Sequence, residues 1–186
     1  AVEWQIQQYG DISDAIGYTY QQDGHAFYVL TFPSANATWV YDVSTGAWHE
    51  RAAWDNGRFN RHRSNCQMTF NHEIIVGDFS DGRIYAFDLT DYEDDGQPQR
   101  WLRSWRALPQ GTNTLARTAQ HSLQLDAETG VGLNLGQGSD PQVMLRFSDD
   151  GGHTWSNEHW SSMGAIGAYG TRTFWRRLGM TLKLRD

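Results

Sequence analysis

The feature of this sequence that most constrains its fold is a match to the Asp-box pattern, which describes a tight β-hairpin. Residues 148–155 are SDDGGHTW and fit Ser-x-Asp-x-Gly-x-Thr-Trp at every specified position. The preceding residues 143–147, VMLRF, have the composition of a strand. The sequence therefore predicts a strand, a tight turn and a returning strand in this region.

The specified positions of this Asp-box segment have structural roles in the predicted hairpin. We expect the Asp150 carboxylate to accept hydrogen bonds from turn amides and Gly152 to adopt a positive φ. We expect Trp155 to be a mostly buried apolar plate packed against a neighbouring sheet. The same pattern occurs in sialidases, other glycosidases and propeller scaffolds, so it assigns no chemistry. The predicted structural residues are Ser148, Asp150, Gly152, Thr154 and Trp155.

The composition favours an all-β chain. The 186 residues include nine Trp, eight Tyr and eight Phe, together with nineteen Gly and only four Pro. Aromatic residues favour strands and glycines supply turns, so many short strands are expected rather than helices. A chain of this length is large enough to bury a hydrophobic core. We therefore predict a single β domain over residues 1–186.

Two segments resemble copies of one unit, in which an apolar strand and a turn are followed by a strand that ends on an aspartate. His25 corresponds to His72 and Asp42 to Asp88, at offsets of 47 and 46 residues. A period of about 40–50 residues is typical of propeller blades. The predicted fold is therefore a set of antiparallel propeller-type blades, as a partial propeller or a fragment of a larger one, with a sandwich meander as the alternative. The first copy occupies residues 24–32, 38–42 and 45–48, and the second occupies residues 71–79 and 83–88.

Three later regions are predicted to be a connector, a strand and a hairpin. Residues 90–98 are acidic and rich in turn formers, which indicates an exposed connector. Residues 100–106 interleave basic and aromatic side chains, which favours an amphipathic strand, with contacts to phosphates and bases as the alternative. Residues 121–125 and 131–135 are predicted to pair around the turn at residues 126–130.

Charge and cysteine content narrow the function classes. The formal net charge of −7 disfavours nucleic-acid binding through a generally basic surface, although it does not bear on a local basic patch. Cys66 is the only cysteine and so has no partner for an internal disulfide. No apolar run approaches the length that spans a membrane.

No pattern predicts a metal, cofactor or catalytic site. His72 and Glu73 lack the second histidine of a zinc-protease helix, and His153 and His159 have no convincing third ligand. The adjacent carboxylates at 149 and 150 point in different directions in a turn, unlike a glycosidase pair. The arginine cluster and Tyr/Glu pair of a sialidase are not recognisable, and no P-loop, dinucleotide or Gly-x-Ser-x-Gly motif is found. We expect no enzyme activity.

Several long strings, read together, resemble the packaged-DNA stabilisation proteins of short-tailed, P22-like bacteriophages and related prophages. They extend over most of the chain and are more specific than the Asp-box segment alone. A late arginine-rich strand at residues 175–180 resembles the same family. The other strings are residues 13–25, 28–33, 38–42, 48–51, 140–146 and 148–158.

The resemblance implies a structural role in the virion. Members of this family are tail-hub proteins that join the tail after packaging, form a hexameric ring between the adaptor ring and the tail needle, and help to keep DNA in the head until ejection. It implies partners among other tail proteins, a ring of identical subunits, DNA met at most transiently in a channel, and assembly in the host cytoplasm. It also implies that the chain is the C-terminal part of a longer tail-hub protein, or a shortened relative of one.

Two other function classes stay open from the residues alone. One is a carbohydrate-binding or sialidase-like propeller, in which exposed tryptophans would stack on sugars. The other is a DNA-binding module that uses the arginines near Arg100 and at residues 172–177.

Overall fold

The computed structural model describes residues 2–105, 117–181 and 185–186 and divides the chain into two compact units, Ala1–Trp101 and Leu102–Asp186. The sequence analysis predicted one β domain over residues 1–186. The structure divides into two compact units, and within the described ranges every strand pairs only with strands of its own unit. Regular structure in both units is almost entirely antiparallel β, as predicted.

The first unit contains a four-stranded sheet in the order β1-β2-β3-β4, a hairpin of β5 and β6, a three-stranded sheet in the order β7-β8-β9, and a two-stranded ribbon of β10 and β11. One short helix, α1, precedes these strands and was not predicted. The elements of the first unit in chain order are α1 (Val2–Gln7), β1 (Ile16–Gln22), β2 (His25–Phe32), β3 (Ala37–Asp42), β4 (Ala47–Glu50), β5 (Ala52–Asp55), β6 (Arg58–Arg61), β7 (Ser64–Phe70), β8 (Glu73–Asp78), β9 (Ile84–Ala86), β10 (Glu93–Asp94) and β11 (Gln97–Pro98).

The repeat found in the sequence corresponds to equivalent strands of the two larger sheets. β2 lies between β1 and β3, and β8 lies between β7 and β9, so both apolar runs are inner strands. Val29 and Val76 occupy matching positions and are both buried. Each copy ends on a carboxylate that closes the next turn, since Asp42 accepts a hydrogen bond from the Ser44 amide at 2.9 Å and Asp88 accepts one from the Thr90 amide at 2.7 Å. The two copies are therefore similar structural units, as predicted.

The hydrophobic core of the first unit is formed by side chains of β1, β2, β3 and β8. Val29 and Val40 are fully buried at its centre, and Tyr20 and Ile74 complete the cluster. The Arg51 guanidinium lies 5.6–5.8 Å from the ring centroids of three aromatic side chains, a distance at which cation–π attraction operates. The Arg51 guanidinium therefore packs against three aromatic rings of this region. The three rings are those of Tyr20, Phe27 and Phe87.

The second unit is built from short strand pairs. β12 pairs with β17, β13 with β16 and β14 with β15, all antiparallel. Trp175 is 7% exposed, and its indole N–H donates to the His159 carbonyl at 2.7 Å, which ties β16 to β15. The elements in chain order are β12 (Thr118–Ala119), β13 (Ser122–Leu125), a 3₁₀ turn (Gln137–Ser139), β14 (Gln142–Leu145), β15 (His159–Ser162), β16 (Thr173–Arg176) and β17 (Met180–Thr181).

Two strand predictions were wrong. Residues 100–105 form no strand, and Arg106, the last residue of that predicted strand, lies outside the described residues. Residues 131–135 form no strand either, because the predicted partner β13 pairs with β16 instead, with Leu123 opposite Trp175.

We predict that Val29→Ala destabilises the first unit by about 2–3 kcal/mol, because it removes two methyl groups from a fully buried position and leaves a cavity. Val43→Ala is the matched control, since Val43 is 59% exposed and the same substitution there should change little. Urea titration of both variants measures the two free energies. Equal losses would show that the inner strand does not form the core.

Candidate functional site

The turn at residues 148–155 is held by side-chain oxygens. The Asp150 carboxylate accepts hydrogen bonds from the Thr154 amide at 2.8 Å and from the Thr154 hydroxyl at 2.6 Å. The Ser148 hydroxyl donates to Asp150 at 2.7 Å and accepts from the Gly152 amide at 2.8 Å, where the Gly152 φ is +89°. Asp150 thus accepts hydrogen bonds within the turn, and Gly152 has a positive φ. The flanking strands β14 and β15 pair with Leu145 opposite His159, so a hairpin forms, but residues 146–158 separate its strands and the tight hairpin that was predicted is shorter than this.

These hydrogen bonds change the acidity of Asp150. The hydroxyl and amide of Thr154, followed by the Ser148 hydroxyl, hold the Asp150 pKa well below its usual range. They outweigh the opposing effect of desolvation because they all stabilise the ionised carboxylate. The ionised Asp150 carboxylate therefore stabilises the turn through these hydrogen bonds.

The prediction that Trp155 is buried was wrong. Its side chain is 44% exposed, and its indole N–H donates to the Gly152 carbonyl at 3.1 Å. The Arg146 guanidinium lies 6.0 Å from the ring centroid. The indole thus folds back over its own turn, where it covers backbone, and the buried indole of this unit is that of Trp175.

Arg185 fixes the turn from outside it, and sequence analysis did not identify this residue. Its guanidinium donates to both Asp149 carboxylate oxygens at 2.6 and 2.8 Å and to the Leu178 carbonyl at 2.6 Å. It also lies 4.2 Å from the Phe147 ring centroid and is 7% exposed. No local pattern signals this contact, because the ion pair joins positions 36 residues apart.

The backbone next to Arg185 adds a strand bridge to the same turn. The Ser148 amide donates to the Asp186 carbonyl at 2.8 Å, and the Asp186 amide donates to the Ser148 carbonyl at 2.9 Å. Ser148 is 1% exposed as a result. The two neighbouring carboxylates have different partners, since Asp149 accepts from Arg185 and Asp150 accepts from Thr154. We call the contacts of Arg185 with Asp149 a clamp, because they hold the 148–155 turn in place.

The first unit contains a half-buried polar cluster that joins β1 to β7. The Ser64 hydroxyl hydrogen-bonds to the Tyr18 hydroxyl and, at 2.6 Å, to His62 Nδ1. Burial, with the positive charges of Arg51 and Arg63 nearby, lowers the pKa of His62 to about 3. The imidazole is therefore neutral at physiological pH, and its Nδ1 accepts a hydrogen bond from the Ser64 amide at 3.2 Å.

The acidic connector at residues 90–98 has ion-pair partners. Asp95 contacts both Arg63, at 3.7 Å, and Arg83. Arg63 also lies within 4 Å of Asp94 and of Asp78, whose side chain is fully buried. The sequence suggested a solvated run, but part of its charge neutralises two arginines.

The remaining candidate residues are dispersed. His72 lies in the turn between β7 and β8 with a φ of +66°, and the ring of His159 stacks on Phe147 at 5.6 Å. Across the described ranges, no group of three or more His, Cys, Asp or Glu side chains is placed to hold a metal ion. Nor does any helix in those ranges have the length and apolar character needed to span a membrane.

Two surface features combine aromatic rings with polar groups. One is an open groove of about 710 Å³ lined by α1 residues and by Trp39 and Trp48. The other is the outer face of β16, where Arg172, Phe174 and Arg176 alternate with the buried Thr173 and Trp175.

We predict that Asp150→Asn lowers stability at pH 7, because a carboxylate with a lowered pKa stabilises the fold above the unfolded-state pKa of about 3.9. This contribution is lost as the pH falls through the folded-state pKa, so the difference between wild type and variant should shrink towards pH 2. Urea midpoints at both pH values measure it. Asp126→Asn is the control for charge loss, and an equal effect of both substitutions would contradict the prediction.

We predict that Arg185→Ala destabilises the second unit by about 2–3 kcal/mol, less than for a fully buried pair because the Asp149 side chain is 42% exposed. Trp155→Ala should cost less than the roughly 3–5 kcal/mol of a buried tryptophan, since the side chain is 44% exposed. Denaturant titration of both variants ranks them. A larger loss for Trp155→Ala would overturn the assignment of Arg185 as the clamp.

Comparison with known families separates the chain into the same two parts. A family model described as bacteriophage P22 Gp10, beta-propeller, matches residues 1–92, and one described as bacteriophage P22 Gp10, beta-sandwich, matches residues 100–185. No curated protein matches the chain. The predicted propeller-type fold is thus confirmed for the first part, and the Asp-box segment lies in the part that matches a sandwich. The chain belongs to the family of P22-like phage proteins that stabilise packaged DNA.

Proposed function

We propose that this protein is a tail-hub component that joins the portal-side adaptor ring to the tail needle and retains packaged DNA by contact. Membership of the family carries this proposal, because that family has a structural role in stabilising packaged DNA in the virion. We extend this role in the proposal: the protein would form the tail hub, contact the adaptor ring and the tail needle, and take part in DNA ejection. It would assemble in the host cytoplasm. We further propose that the protein has no enzyme activity.

The surface of the protein supports a role in an assembly. Large apolar side chains are exposed in both units, and such residues are typical of surfaces that become covered by partner proteins. Phe70 is 62% exposed and Tyr169 is 71% exposed, although the composition otherwise provides many polar residues for the surface. Other examples are Trp4, Tyr92 and Trp160.

The clamps within each unit suit a part that must hold its shape. Arg185 ties a strand end to the 148–155 turn, and Arg63 draws three carboxylates together. Neither arrangement places a nucleophile beside a base in a cleft, which nucleophilic catalysis requires. These features favour a structural role over a catalytic one.

A carbohydrate-binding module is the second candidate, and one observation favours it. The groove lined by Trp4, Trp39 and Trp48 also contains Glu3 and Gln5, which gives it indole faces beside groups that hydrogen-bond to hydroxyls. Its volume of about 710 Å³ falls within the usual range for a small-ligand site. Binding on a glycan array that is lost in Trp48→Ala would support this candidate over the hub.

We predict that phage particles assembled without the full-length protein package DNA but fail to retain it, so that the DNA becomes sensitive to nuclease. Complementation with the wild-type protein should restore retention. Light scattering should show the purified full-length protein joining portal–adaptor complexes. A full-length protein that stays monomeric and ignores those complexes, in particles that retain DNA without it, would refute the hub assignment.

A further inference from the structure

The outer face of β16 presents two arginines on either side of one aromatic ring. Successive residues of a strand point to opposite faces, so Thr173 and Trp175 are buried while Arg172 and Arg176 are exposed. The guanidinium carbons lie 5.9 and 4.7 Å from the Phe174 ring centroid. Both cations therefore rest against the same ring, which restricts their side-chain freedom before any ligand binds.

These two arginines lack the carboxylate partners that other arginines of the chain have. In the described ranges, no Asp or Glu oxygen lies within the 4 Å ion-pair distance of Arg172 or Arg176. By contrast, Arg63, Arg83 and Arg185 each contact at least one aspartate. A chain with a net charge of −7 thus keeps two unneutralised guanidiniums together on one strand face.

The neighbouring strand adds uncharged polar groups to this face. In the β13–β16 register, Gln124 lies opposite Phe174 and Ser122 lies opposite Arg176, and both are exposed. The Arg172 guanidinium donates to the Gln124 side-chain carbonyl, which leaves the amide nitrogen of Gln124 as a donor. The face therefore presents hydrogen-bond donors of the type that contact phosphate oxygens.

We propose that this face, formed by Arg172, Phe174, Arg176, Gln124 and Ser122, binds the phosphate backbone of duplex DNA. Guanidinium groups contact phosphates with two hydrogen bonds each, and the ring between them holds the pair in place. Charge complementarity favours a polyanion at this position, while the acidic remainder of the chain repels DNA and keeps the contact local. The site makes no base-specific contact and so accepts any sequence.

This proposal deepens the proposed function, because it supplies the contact by which a hub would hold the end of the packaged DNA. It differs from a contact between copies of the chain, in which acidic side chains of a second copy would occupy the same face. Substituting the two arginines would weaken DNA binding if DNA occupies this face, and would dissociate an oligomer if a second copy of the chain occupies it.

The test is fluorescence anisotropy of a labelled random-sequence duplex titrated with the full-length protein over a series of NaCl concentrations. Two phosphate contacts predict a slope of about −2 in log K against log salt concentration. The double variant Arg172→Ala with Arg176→Ala should lose binding and lower the magnitude of the slope by about 2, roughly 1 for each arginine. The double variant Arg172→Gln with Arg176→Gln serves where the alanine variant does not fold.

Arg83→Ala is the matched control, because it removes the same charge from an exposed arginine that aspartates already neutralise. It should leave DNA affinity almost unchanged. Equal weakening by both substitutions, or a slope near zero in the wild type, would overturn the proposal. So would a double variant that retains DNA binding but dissociates an oligomer in light scattering. Joining of portal–adaptor complexes is scored separately, so loss of DNA contact is distinguishable from failure of the hub assignment.

Discussion

Aspartates that close turns are the constraint on which both units depend. The strands are only two to eight residues long, so the chain reverses direction often and each reversal leaves backbone amides without a ladder partner. Asp42, Asp78 and Asp88 each accept the amide two residues further along, and Asp150 accepts one four residues along. Because these hydrogen bonds are stronger to the ionised carboxylate than to the protonated form, they lower the pKa of each of these groups.

This use of aspartate changes how the net charge of −7 is interpreted. The net charge disfavours DNA binding through a generally basic surface, but it does not show that several carboxylates have an arginine partner within the chain. Asp149 neutralises Arg185, and Asp95 neutralises Arg83. Arg172 and Arg176, which have no carboxylate within ion-pair distance in the described ranges, therefore have more local influence than the overall charge indicates. Charge composition alone describes long-range attraction or repulsion, whereas the position of each pair decides which faces can bind an anion.

Sequence analysis succeeded where the determinants are local. The turn chemistry of Asp150 and the inner-strand character of residues 28–30 and 74–76 follow from short patterns, and the structure contains both. It failed where the partner is distant. β13 pairs with β16 across roughly 50 residues, and Arg185 reaches Asp149 across 36, so no nearby residue signals either contact. Trp155 was misplaced for a related reason, because the pattern specifies an indole after the turn but not which surface covers it.

The distant contacts also explain why the two units rely on different sources of stability. The first unit has three- and four-stranded sheets around fully buried valines, so apolar burial in its inner strands is the main stabilising contribution. The described residues of the second unit form two-stranded pairs, which are marginal by themselves. Trp175 and Arg185 connect those pairs through a hydrogen bond to His159 and an ion pair to Asp149. Because Thr173 and Trp175 are buried on one face of β16, its other face is left for Arg172, Phe174 and Arg176, and the unit can use that face for recognition without giving up its own packing.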